Sequence, residues 1–99
     1  MQTMVSDRRR VARYVVRVPI EVVEVGTGST LDISAAGISF LIDRMLEPGR
    51  EIRFELALHE SDVRLHCDGR VLRVEKRALG GHVTAATIDN IAMKPATGH

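Results

Sequence analysis

The sequence predicts an all-β fold, a small antiparallel barrel or sandwich, on two observations. Apolar residues recur at every second position through successive segments, the spacing that turns one face of a strand to a core and the other to water. Clusters of Gly, Pro, Ser and Asp punctuate those segments at intervals of about ten residues, which suits hairpins rather than crossover helices. The 99 residues suffice for one domain with a single modest core, and no long internal repeat is present.

Residues 1–13 carry little apolar periodicity and read as a flexible basic arm. A first strand follows, with Tyr14, Val16, Val18, Ile20 and Val22 on one face and Arg17, Pro19 and Glu21 on the other. Pro19 lacks an N–H and marks an edge or a bulge. Gly26 to Ser29 reads as a turn, and Thr30 to Ser34 as a second strand with Leu31 and Ile33 inward, leaving Asp32 and Ser34 on the opposite face. Gly37 permits a change of direction into a third strand carrying Ile38, Phe40 and Ile42. Asp43 to Arg50, with Pro48-Gly49, is a connection. Ile52, Phe54, Leu56 and Leu58 alternate cleanly against Glu51, Arg53 and Glu55. His59 to Asp62 is a hairpin-like turn, and Val63 to Glu75 one long bent strand whose phase shifts near Gly69, where a bulge is expected. Lys76 to Gly81 turns the chain into a last strand, Val83 to Ile88. Beyond it the tail supports at most one helical turn, around Asp89 to Met93. The organisation expected is thus an arm over 1–13, a β-domain over 14–91 and a tail over 92–99.

Composition narrows the function. At 44% apolar and 27% charged residues the chain is an ordinary globular domain. No apolar run approaches the roughly 18 residues of a membrane helix, and no signal-peptide pattern opens the chain, so no membrane insertion is expected. The lone Cys67 can form no internal disulfide, which fits a reducing cytoplasm. The net charge of +1 argues against a general polyanion binder, and three aromatic residues supply no stacking platform for nucleic acid. Charge is nevertheless unevenly placed: twelve of the fourteen basic residues are arginine, and four of these fall between positions 8 and 13. A GC-rich genome would account for the arginine bias but not for the clustering.

Two motifs carry chemistry. The first is Arg9-x-x-x-Arg13 within Arg8-Arg9-Arg10-Val11-Ala12-Arg13; the second is Asp32-Ile33-Ser34-Ala35-Ala36-Gly37. Taken singly each has a plain reading: a solvated basic arm with salt-sensitive affinity for polyanions, and a turn in which short polar side chains satisfy local backbone groups. Together, in this order and separated by one strand, they resemble the signature R-x-x-x-R … [DN]-x-S-x-x-G of the PilZ domain, a bacterial receptor for the second messenger cyclic di-GMP. The surrounding strand pattern is similar over roughly residues 8–91.

The resemblance implies a six-stranded antiparallel β-barrel of PilZ type and cyclic di-GMP as ligand, with Arg8, Arg9, Arg10, Arg13, Asp32, Ser34 and Gly37 at its site. Arginine presents a planar fork that matches phosphate oxygens and guanine O6/N7 and can stack on a guanine face. Asp32 is suited to accept from guanine N1–H and N2–H, Ser34 to donate or accept beside it, and Gly37 to let a ligand approach the backbone. In the family the arm folds over the ligand, and a downstream protein partner reads the change. The loop departs from the family in carrying Ala35 and Ala36, where glycine or another small residue is common. The alternative implied is a PilZ-fold interaction adaptor that does not bind the nucleotide. No catalytic residues, metal or cofactor are expected. His59, His66, His82, His99 and Cys67 lack metal-ligand spacing, Ser34 has no nucleophile-elbow context, and no glycine-rich phosphate loop is present. Cys67 falls in the inward phase of its strand and reads as a buried thiol.

Overall fold

The computed structural model describes residues 14–57 and 62–95. Eight strands and no helix are found among them: β1 (Tyr14–Val15), β2 (Pro19–Val22), β3 (Gly26–Ile33), β4 (Gly37–Ile42), β5 (Glu51–Ala57), β6 (Val63–Lys76), β7 (His82–Thr87) and β8 (Asn90–Pro95). Six of them close a ring in the order β3-β2-β5-β6-β7-β4, with β4 returning to β3, and every pairing is antiparallel. The expected six-stranded barrel is therefore present, with β1 added on β3 and β8 on β6.

The interior is filled by the alternating residues of these strands. Ile20 and Val22 of β2, Ile38, Phe40 and Ile42 of β4, Ile52, Phe54 and Leu56 of β5, and Cys67 and Val71 of β6 form one cluster with Ala86 of β7. Leu46, from the connection after β4, completes it. Phe40 and Phe54 meet across the barrel at 6.5 Å between centroids, tilted by 35°. Each such side chain contributes about 1.5–3 kcal/mol by leaving water.

Departures from the expected elements each have a local cause. The first strand is split into β1 and β2 because the Thr30 side chain intervenes: its hydroxyl donates to the Val16 carbonyl and accepts from the Val18 N–H at 2.9 Å. Thr30 is thereby fully buried and satisfied, and a register shift between Thr30 and Asp32 takes Leu31 out of the inward phase. Gly26 to Ser29 is not a turn but the start of β3, where Gly28 packs so closely on β4 that a Cβ would overlap the Leu41 carbonyl oxygen. The turn lies instead at Val23–Val25, with Glu24 in the left-handed region at φ 68°. Residues Asn90–Pro95 form a strand where the sequence allowed at most a helical turn. The predicted turn from His59 falls largely outside the described residues.

The long strand β6 changes partners along its length. Residues 63–68 pair with β8, and residues from Val71 onward pair with β7. Gly69 sits at the exchange, where a Cβ would overlap the carbonyl oxygen of Thr87, and the Arg70 N–H donates to the Thr87 hydroxyl at 2.9 Å. The bulge expected near Gly69 comes slightly later, between Val71 and Arg73. On its other side β6 meets β5 in a ladder of opposite charges: Arg70–Glu51 at 2.9 Å, Arg53–Asp68 at 3.1 Å and Arg64–Glu55 at 3.4 Å, with His66 Nδ1 also 3.4 Å from Glu55. These pairs are solvent-accessible, so each contributes at most about 1 kcal/mol.

Cys67 is buried as expected, and burial pushes its thiol up to about 11 from 9.0, with a smaller push from the Asp68 carboxylate. Its pH dependence follows from linkage. Between pH 9 and 11 the unfolded chain ionises the thiol while the folded chain keeps it protonated. The contribution is fully present below pH 9 and is lost as pH rises toward 11, a decline of order 2 kcal/mol. Urea unfolding of wild type and Cys67→Ala across this range checks it, the variant having the shallower decline.

Candidate ligand site

The second motif occupies the end of β3, the loop 34–36 and the start of β4. Ser34 organises the loop. Its N–H donates to the Gly37 carbonyl at 2.8 Å, and its nearly buried hydroxyl accepts from the N–H groups of Ala36 and Gly37, each at 3.2 Å. The hydroxyl lies 3.4 Å from the Gly37 carbonyl, to which it can donate. A hydroxyl committed to three backbone groups is a positioning group. Deleting it would leave two loop N–H groups without their acceptor.

Gly37 is needed for a reason other than backbone freedom. It lies outside the left-handed region, and a Cβ there would come 2.7 Å from the Ala86 carbonyl oxygen on β7. The glycine lets β4 and β7 close, with Gly37 opposite Thr87 and the Ile88 N–H bonded to the Ala36 carbonyl at 3.3 Å. Between these anchors the small residues Ala35 and Ala36 are exposed.

Asp32 is half-buried on β3, opposite Val15 on β1 and Ser39 on β4. Tyr14 pairs with Ile33 in the same register, so the described chain begins on the flank of this loop. Asp32, Ser34 and Gly37 are thus brought to one end of the barrel. Arg8, Arg9, Arg10 and Arg13 lie outside the described residues.

A separate open cavity of about 510 Å³ lies where the β2–β3 turn, the start of β5 and the β7–β8 junction meet. It is lined by residues of both signs, among them Glu24, Arg50, Arg53, Asp68 and Asp89, and by none of the motif residues. Neither sequence motif pointed to it, because its lining comes from segments far apart in the sequence. No group of three or more metal-ligating side chains is present among the described residues. No helix there is long and apolar enough to cross a membrane.

The chain is a closed antiparallel barrel with a serine-braced D-x-S-x-x-G loop beside its first strand. Comparison with family models matches the PilZ domain over residues 7–94, and the chain belongs to that family. Among solved structures it is similar to the Bacillus subtilis inhibitor of motility MotI/DgrA, with a TM-score of 0.72 and 17% identity. That match covers 86% of this chain and 44% of the other, so the chain spans less than half of that protein's length. No curated protein matches.

Proposed function

We propose that this domain is a cyclic di-GMP receptor that signals to a protein partner through nucleotide-dependent ordering of its arginine arm. The observation that carries the reading is the architecture of the Asp32–Gly37 loop. Ser34 commits its hydroxyl to the loop itself, and Asp32 is the carboxylate of the motif, beside the exposed residues Ala35 and Ala36. In this reading Arg9 and Arg13 grip phosphates or guanine O6/N7, with Arg8 and Arg10 adding positive charge. Asp32 accepts from guanine N1–H and N2–H, and Ser34 and Gly37 hold the loop rather than the ligand. The chemistry is recognition, without a catalytic step. Folding the arm over the ligand would consume part of the binding energy in ordering and present a changed surface to the partner.

Isothermal titration with cyclic di-GMP tests the reading: saturable heat is expected, and silence would favour an adaptor of the same fold that recognises only protein. Selectivity tests the role of Asp32. Adenine has no donor at N1 and none at C2, so cyclic di-AMP would set a lone pair against the carboxylate. Wild type is expected to prefer the guanine form by at least tenfold, and Asp32→Ala to narrow that gap chiefly by weakening cyclic di-GMP. Equal binding of both nucleotides by wild type would leave Asp32 as a turn residue.

A further inference from the structure

The terminal strand β8 has one covered side and one that no described strand pairs. Among the described strands it pairs only with β6, placing Ile91 opposite Cys67 and Met93 opposite Leu65. Directly opposed residues of an antiparallel pair share a face, so Ile91 and Met93 continue the interior surface of the sheet past the edge of the barrel. They are 56% and 67% exposed, whereas Cys67 is 2% exposed. Asn90, Ala92 and Lys94 occupy the other face, opposite Asp68, His66 and Arg64. An edge with free backbone groups and one apolar face is a template for another strand.

From the pattern of β8 itself we infer that this strand is covered by β8 of a second copy of the chain, antiparallel about a two-fold axis through Ala92. The strand is self-complementary in that register. With Ala92 opposite Ala92, Ile91 faces Met93 of the second copy, and Asn90 faces its Lys94. The smallest side chain of the strand meets itself on the axis, while its single charge meets a neutral amide. Charge then runs in order across the four strands: Asp68, Asn90, then Lys94 and Arg64 of the second copy, an anion at one end and cations at the other. A one-residue slip would place Ile91 against Lys94 and mix the two faces. A two-residue slip either way breaks the Ile91–Met93 pairing and sets Met93 against itself or against Asp89. The interface is isologous and closes at two copies. Six residues bury less area than a permanent dimer needs, so the association is weak and concentration-dependent.

Sedimentation velocity of the full chain over a wide concentration range is expected to show a reversible monomer–dimer equilibrium. Met93→Lys, a change at an exposed position, is expected to abolish the dimer and leave the melting temperature unchanged. Single cysteines read the register. Ala92→Cys is expected to give a covalent dimer on mild oxidation, because opposed Cα atoms lie about 4.5–5.5 Å apart, within disulfide reach. Asn90→Cys is not, since its two copies would be offset by about 13 Å along the strands. Wild type, whose Cys67 is buried, gives the background. A monomer at every concentration with no Ala92→Cys cross-link would overturn the inference. So would equal cross-linking at Asn90→Cys, or a dimer indifferent to Met93→Lys.

Discussion

Arg9→Ala and Arg13→Ala are each expected to weaken cyclic di-GMP binding at least tenfold while leaving the unfolding transition where it is. A bidentate, charge-assisted contact to phosphate or guanine is worth roughly 1.5–3 kcal/mol, or about 10- to 150-fold in affinity. Losing one takes a micromolar ligand to a Kd of about 10–150 μM, a shift that titration reads directly. The buried core among the described residues begins at Val18, after both positions. Arg44→Ala, at an exposed position beyond the opposite end of β4 from Gly37, is the control and should bind as wild type does. Wild-type affinity in the Arg9 or Arg13 variant, by titration at matched salt, would defeat the site assignment.

Gly69→Ala is expected to destabilise the fold by about 3 kcal/mol or more, out of a total that is only about 5–15 kcal/mol for a domain. The added methyl overlaps a backbone carbonyl oxygen, that of Thr87, rather than a flexible side chain, and the ring of Phe54 stands 3.4 Å away on another side. Relief would require β6 and β7 to part where the Arg70 N–H is held by the Thr87 hydroxyl. In a domain of this size the loss corresponds to a fall of at least about 10 °C in Tm, read by circular dichroism. A loss below 1 kcal/mol would show that the two strands can slide apart freely.

The parts of the fold legible in the sequence are those where alternation alone decides burial. Ile38, Phe40 and Ile42, and Ile52, Phe54 and Leu56, are all buried as their spacing requires. Legibility fails where one side chain or one close approach overrides the pattern. Thr30 looks like an outward residue, yet its hydroxyl serves the backbone of Val16 and Val18 and earns it the interior. Gly28 looks like a turn residue, yet its missing side chain serves the contact with Leu41, and the turn passes to Val23–Val25, which carries no glycine or proline. Tail residues from Asn90 alternate too briefly to be separated from a helical turn. At the site, the motif located Asp32, Ser34 and Gly37 together, but not the division of labour between them. That Ser34 is turned inward on its own loop depends on hydrogen bonds that spacing does not reveal.

The charge ladder between β5 and β6 bears on how these strands find their alignment. A sheet with one apolar face rejects a slip of one residue, because that would turn the core outward, but it is blind to a slip of two, which preserves inside and outside. The paired charges cover that gap. With β6 moved two places one way, Glu51 would face Asp68; moved two places the other way, Arg53 would face Arg70 and Glu55 would face Asp68. Each two-place slip brings like charges opposite one another, and only the native alignment joins Glu51 to Arg70, Arg53 to Asp68 and Glu55 to His66. Ion pairs that add little to stability thus act as a parity check, discriminating between alignments that the hydrophobic pattern treats as equal.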